Sequence, residues 1–388
     1  MSSYISSNAN RFYTALESAY GQVGSIGAEN RIPAVKLTIQ QQLTAGARKD
    51  KTGSRTFGGQ PAGGRRRTAF ELRTYLTNWD KSGEPGYGPL FQAALGAAPQ
   101  RFAGGTVASY AAGRLGFAGA HGLIAGQAVN CGGEIRFVAA IVDASTVVLN
   151  APFAVAPNAG ATAGATITYT PATELPSASI FDYWSPATAM QRLLCGAAVD
   201  QMEILVNGDY HETRFKGAAQ DVLDSATFAG GAGELTQFPE EPALAAFDYS
   251  IVPGNMGQAW LGTSPSQFFT LSAASVVVKN DIDLRAREFG SNVPRAIAPG
   301  QRSVIAAFDL YSRDDEATHG LYEAARQESP ISVMFQLGEV AGQLMGVYLR
   351  SVIPDLPEFD DGENRLQWRF RGGRAQGSVD DEVAVAFA

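Results

Sequence analysis

Apolar and polar residues alternate with period two over much of the chain, the pattern of strands with one buried and one wet face. In RRRTAFELRTYL (65–76), Phe70 and Leu72 alternate with Glu71 and Arg73. The same reading predicts strands at VKLTIQQQL (35–43), 199–206, 211–216, FFTLSAASVVVKN and AAFDLYS (306–312). SVMFQLG, GQLMGVYLRSV, NRLQWRFR and DEVAVAFA continue it to the C-terminus. Helical signals are few. GPLFQAALG (88–96) opens on Gly-Pro and closes on Gly96, which predicts a short helix. A second spans EATHGLYEAARQ (316–327), with Asp314 and Asp315 at its positive end. A third is predicted over PATAMQRLLCG (186–196). A fourth follows Ser7 or Asn8, with Phe12, Ala15, Leu16 and Ala19 on one face and Gly21, Gly24 and Gly27 ending it.

The pattern repeats itself. GGRRRTAFELRTYL (63–76) aligns with PGQRSVIAAFDLYS (299–312): Gly64 meets Gly300, Arg66 meets Arg302, Leu72 meets Phe308 and Tyr75 meets Tyr311. A polar loop and a short helix follow each, LFQAAL (90–95) and LYEAAR (321–326). Upstream, VKLTIQQQL corresponds to VVVKNDIDL (276–284). Downstream, Arg214, Phe215, Lys216 and Gly217 correspond to Arg369, Phe370, Arg371 and Gly372. Four blocks in one order point to a duplication, and a repeat of this kind governs how the rest of the chain is read.

Residues 99–172 stand apart, rich in Gly, Ala, Val and Thr and nearly free of charge. Strands are expected there at QAVNC, EIRFVAAIVD, TVVLNAPF and ATITYT. The expected division is an N-terminal arm (1–29), a first unit (30–98 and 173–225), an all-β insertion (99–172), a connector (226–267) and a second unit (268–388). The fold class is mainly β (α+β): two tandem antiparallel β-sandwiches, each with a flanking helix, and a small all-β insertion domain.

Composition narrows the function. The chain has 388 residues, 43 of them Gly and 19 Pro, with no collagen-like period. A net charge of −8 argues against a protein that holds nucleic acid through its phosphates. No apolar run is long enough for a membrane helix, and the N-terminus lacks the pattern of a secretory signal. Cys131 and Cys195 are expected to be buried thiols, suited to a reducing compartment. His121, His211 and His319 form no catalytic motif. His211, near Glu203 and Asp209, reads as a strand histidine rather than part of a triad. EFDDGEN (358–364) lacks calcium-loop spacing and reads as a hairpin turn, as does DDE (380–382). No cofactor or metal is expected, and the chain does not read as an enzyme.

Several of these blocks together resemble bacteriophage tail tube proteins, the major tail subunits. They are TGSRTFGGQPAGGRRRTAFELRTYL with GPLFQAALG, VVVKNDIDLRAREFGSNVPRAIAPGQR, LYEAARQESPISVMFQLG and RAQGSVDDEVAVAFA. The resemblance covers most of the chain outside 99–172. It implies a β-sandwich with a flanking helix whose strands join a continuous inner barrel, in rings that stack into a hollow conduit for DNA. Such subunits usually carry one copy of the fold and form hexameric rings. A chain with two copies is expected to close a homotrimeric, pseudo-hexameric ring, with hexameric rings of this chain as the alternative.

Further expectations follow from the resemblance. The subunit would be assembled in the host cytoplasm, reside in the virion and pass double-stranded DNA without holding it. It would meet tape measure, terminator and tail-tip proteins and insert in no membrane. The long loops 44–64 and 285–299 are the expected inter-ring contacts, through Arg48, Lys49, Lys51, Arg55, Arg285, Arg287 and Glu288. Glu71 and Asp309 are the expected lumen-facing carboxylates. Two other readings stand beside this one: a tail-tip or baseplate hub with duplicated tube folds, and a glycan-binding β protein.

Overall fold

The computed structural model describes residues 4–44, 46, 50–51, 53–56, 59, 63–79, 83–244, 249–283 and 288–388. Its first part runs β1 (Asn10–Leu16), β2 (Arg31–Ile32), β3 (Ala34–Thr44), β4 (Arg65–Tyr75) and α1 (Gly88–Leu95). A long excursion follows: β5 (Gln100–Phe102), β6 (Gly105–Ala111), β7 (Arg114–Phe117), β8 (Ala128–Cys131), β9 (Glu134–Ile141), β10 (Thr146–Leu149), β11 (Thr162–Gly164) and β12 (Thr166–Tyr169). The chain then returns through β13 (Ala178–Trp184), β14 (Arg192–Val206), β15 (Glu212–Ala219) and β16 (Asp221–Asp224). The last part opens with β17 (Gly257–Gly262), β18 (Ser266–Gln267), β19 (Leu271–Lys279), β20 (Ser303–Tyr311) and α2 (Glu316–Arg326). It ends with β21 (Ile331–Leu337), β22 (Met345–Ile353), β23 (Glu358–Asp360), β24 (Gln367–Ala375) and β25 (Ala384–Phe387). The fold is mainly β, as the alternation implied.

The pairing of the strands shows two units wired alike. In the first, β1 pairs with β13, β13 with β14, β14 with β16 and β15, and β15 with β4, which pairs with β3. In the second, β17 pairs with β21, β21 with β22, β22 with β25 and β24, and β24 with β20, which pairs with β19. Cross-strand ladders coincide residue by residue. Tyr13–Phe181–Leu193–Leu223 in the first unit matches Trp260–Met334–Tyr348–Ala384 in the second. On the other sheet, Leu37–Leu72–Phe215 matches Ala274–Phe308–Phe370. Even the aligned arginines act alike. Arg66 pairs with Asp221 at 2.7 Å, and Arg302 pairs with Asp380 and Glu382 at 3.0 and 2.8 Å, each reaching toward the last strand of its own unit.

The two units share one sheet. The distal half of β14 pairs with β19 from Gln201↔Lys279 to Val206↔Ala274. The inner sheet is therefore continuous in the order β3-β4-β15-β14-β19-β20-β24-β23. The two helices sit differently against these sheets. α1 is buried almost all round, with Phe91 edge-on to Phe215 and Phe387 at 5.3 and 5.2 Å. α2 is amphipathic, buries Leu321, Ala324 and Ala325, and is capped by Asp315, whose side chain accepts from the Thr318 amide at 2.8 Å.

Two predicted helices are strands. Residues 10–16 form β1, paired with β13 along its whole length. Residues 192–196 open the 15-residue β14 rather than ending a helix. In both places small and apolar residues with no strong phase satisfy a helical pattern equally well, and sheet burial decides. Tyr13 on β1 and Cys195 on β14 both enter one cluster with Phe181 and Leu193. The expected connector also contains β17, the counterpart of β1.

Within the excursion, β6 to β11 form a closed six-stranded barrel. β5 and β12 do not belong to it. They pair with each other, and β12 also pairs with β25, extending the outer sheet of the second unit. The barrel packs on that unit too: Ile135 and Phe137 meet Trp260, Met334 and Tyr348 in one cluster.

Candidate functional site

The eight-stranded inner sheet has one apolar and one polar face, because each strand alternates. Phe70, Leu72, Met202, Ile204, Phe215, Val276, Val278, Phe308 and Phe370 point into the core. The intervening positions place Glu71, Arg73, Glu203, Arg214, Lys216, Asp309, Arg369 and Arg371 on the opposite face. Both expected lumen carboxylates thus lie on the polar face of the same sheet, one in each unit.

Neither is a bare carboxylate. Lys216 on β15 approaches Glu71 at 3.8 Å, and Arg371 on β24 approaches Asp309 at 3.3 Å. Between them runs a tighter chain of charges that sequence reading did not single out. Arg73 donates to both oxygens of Glu212, at 2.9 and 2.7 Å. Arg214 donates to Glu212 at 2.6 Å and reaches Glu203 at 3.5 Å. Burial pushes the Glu212 carboxyl upward, but Arg73 and Arg214 outweigh it and hold the group below its usual range. The signal for this chain was present as charge at every second position of adjacent strands. What the sequence alone lacked was the register that sets Arg73 opposite Arg214 and Glu212 opposite Tyr75.

A concavity of about 1170 Å³ opens on this face near one end of the strands, lined by residues including Thr38, Gln40, Arg65, Glu71, Lys216 and Asp281. Its wall bends at a bulge between Val199 and Gln201. Gly217 fits there because a Cβ would lie 1.9 Å from the Ala198 carbonyl oxygen. Close by, the Arg66 amide donates to the Asn292 carbonyl at 2.7 Å, joining the start of β4 to the long loop of the second unit.

Of the residues expected to make inter-ring contacts, Arg48, Lys49, Arg285 and Arg287 lie outside the described residues. Lys51 and Arg55 are exposed. Glu288 is exposed and lies 3.8 Å from Arg295, beside the fully exposed Phe289.

The remaining chemical candidates resolve as structure. His211 is buried and its Nε2 lies 2.8 Å from the Met256 carbonyl, with no carboxylate partner among the described residues. Burial pushes its imidazole below the ordinary value. Cys131 and Cys195 are free and buried, as expected, and burial raises their thiols to about 11 and about 12. Asp360 in the EFDDGEN turn pairs with Arg369. The DDE segment is not a solvated turn: Asp380 and Glu382 hold Arg302, and Asp381 lies 3.4 Å from Arg350. Among the described residues, no cluster of three or more His, Cys, Asp or Glu suits a metal ion, and no helix is long and apolar enough to cross a membrane.

Sequence reading also missed a buried clamp. Arg136, on β9, is wholly buried and donates to the Pro152 and Ile135 carbonyls at 2.7 Å, to Gln258 at 2.9 Å and to Gln336 at 3.2 Å. It pairs with Glu134 and lies 4.8 Å from the Trp260 ring centroid. Burial lowers its guanidinium to about 10 against the pull of Glu134. It fixes the barrel to the second unit.

No protein-family model matches the chain, and no curated protein matches it. Among solved structures, one titled as the hybrid structure of the SPP1 tail tube by solid-state NMR and cryo-EM is 14% identical. It covers 34% of this chain and 81% of that one, at a TM-score of 0.25. A likeness that loose assigns neither fold nor function.

Proposed function

We propose that this protein is a structural subunit of a phage tail tube, and that three chains close a ring with six copies of the unit. One observation carries the reading: two units wired alike share a continuous sheet that has one apolar and one polar face. Repeating that arrangement from chain to chain closes a barrel whose polar face lines a channel. Closure also removes the sheet edges that would otherwise invite uncontrolled pairing. The sequence resemblance to tail tube proteins points the same way.

The charge pattern suits passage of a polyanion. Arg73, Arg214, Lys216 and Arg371 each face a carboxylate on the same wall. Bases already engaged offer a phosphate backbone little to hold, so a duplex slides rather than binds. The contacts with the next ring are assigned to the loops 44–64 and 285–299, whose described residues Lys51, Arg55 and Glu288 are exposed. The test is negative-stain imaging of the purified protein, where hollow tubes or rings are expected. A protein that stays monomeric at high concentration contradicts the reading.

A further inference from the structure

We infer that the ring contact is a strand pair between β3 of one chain and β23 of the next, in the register set by the junction inside the chain. This rests on the ring reading above and deepens it to named residue pairs.

The register comes from the duplication. β19 pairs with β20 as β3 pairs with β4: Val277 lies opposite Ile305, and Gln40 opposite Ala69. β23 pairs with β24 as the distal half of β14 pairs with β15: Glu358 lies opposite Arg369, and Glu203 opposite Arg214. So β3 is the counterpart of β19, and β23 the counterpart of distal β14. Within the chain, Glu203 faces Val277, Ile204 faces Val276 and Leu205 faces Ser275. Moved on by one unit, Glu358 faces the partner subunit's Gln40, Phe359 its Ile39 and Asp360 its Thr38.

Burial supports the choice of these edges over any others. Ile204 is 0% exposed beneath β19, whereas its counterpart Phe359 is 56% exposed. Phe359 already leans on Tyr322 and Trp368, at 6.2 and 5.4 Å. Val276 and Val278 are buried at the internal junction, while at the chain's own edge Gln41 is exposed and Ile39 only partly covered. Among the described residues, β3 pairs with β4 alone and β23 with β24 alone. Each therefore presents a row of unpaired backbone groups.

The two junctions are not equal. β14 runs unbroken for 15 residues, but its counterpart is divided into β22 and β23 around Pro354 and Pro357. Proline removes a donor from the ladder and restrains promiscuous edge pairing. The contact between chains is thus the weaker of two equivalent contacts, and rings come apart at β3–β23 before the internal junction opens.

Site-specific disulfides test the register. Chains carrying Gln40→Cys and chains carrying Glu358→Cys are mixed, assembled and mildly oxidised. Directly opposed residues in an antiparallel pair are about 4.5–5.5 Å apart at Cα, within disulfide reach. The mixture is expected to give a covalent dimer on a non-reducing gel. Mixing Lys36→Cys with Glu358→Cys moves the pair four residues out of register, about 13 Å, and is expected to yield about tenfold less. The native thiols are buried and leave the background low. Equal cross-linking of the two mixtures overturns the register. Tubes that form with no cross-link at Gln40 overturn the edge assignment and leave the tube reading standing. Wild-type chains that form no assembly overturn both.

Discussion

The two units of this chain have the same wiring and different surroundings. Their outer ladders, Tyr13–Phe181–Leu193–Leu223 and Trp260–Met334–Tyr348–Ala384, are equivalent position by position. The first is covered by the chain's own connector, with Phe228, Leu235 and Phe238 against it and Arg11 and Tyr13 bonded to Glu241. The second is covered by the inserted barrel through Ile135, Phe137 and the Arg136 clamp. An apolar sheet face must be buried, but the fold does not dictate by what. The scaffold is paired alike in both units, and each unit has its own cover.

That comparison sharpens under mutation. Arg136→Ala removes the buried cation that faces Glu134 and leaves four other polar partners unmet, and about 3–5 kcal/mol of stability is expected to go with it. Chemical denaturation should show that loss. A loss below about 1 kcal/mol would mean the clamp does not bind the barrel to the second unit. Next, matched truncations probe the equivalence of the inner ladders. Leu72→Ala and Phe308→Ala each remove a fully buried side chain at corresponding positions, and losses of about 2–5 kcal/mol are expected for both. A negligible effect at either site would show that the two cores are not equivalent.

The polar faces differ more subtly. The first unit holds the Arg73–Glu212–Arg214 chain, the second a half-exposed Arg371–Asp309 pair. Glu212→Gln is expected to cost about 1–2 kcal/mol at neutral pH, and Asp309→Asn less than about 1 kcal/mol. The Glu212 carboxyl is depressed in the folded protein. Its contribution is therefore present above the ordinary glutamate value of about 4.3 and lost as pH falls through the lower folded value. Melting curves of wild type and Glu212→Gln should converge in acid, and a gap that persists there would contradict the ion-pair origin. The smallest effect belongs to His211. Its imidazole is depressed by burial, so the neutral form is favoured on folding. Stability is retained above the ordinary value of about 6.5 and declines below it. His211→Asn is expected to flatten that decline. An unchanged slope between about pH 5 and 6.5 would assign it to other groups.

Much of this architecture was legible in the sequence, for physical reasons. Strong alternation, as in Phe70-Glu71-Leu72-Arg73, survives any tertiary context, because only one pleat face reaches the core. The internal repeat in the sequence aligned Arg66 with Arg302, and both make ion pairs near the last strand of their own unit. Where small and apolar residues mingle without a clear phase, as at 10–16 and 192–196, local pattern pointed to helix and sheet pairing prevailed. The covers were not legible either. Residues such as Phe137 and Phe228 find their partners across tens to hundreds of positions, and no local period encodes that distance. The charged chain on the polar face required the β4–β15 register, which alternation alone does not supply.

The central claim is that one chain supplies two equivalent units to a closed barrel. The most direct measurement is the symmetry of end-on views of assembled rings in electron micrographs. Threefold rings are expected, with six similar wall segments and three outer densities from the barrel insertion. Rings of six chains with true sixfold symmetry, or assemblies with no central channel, would contradict it.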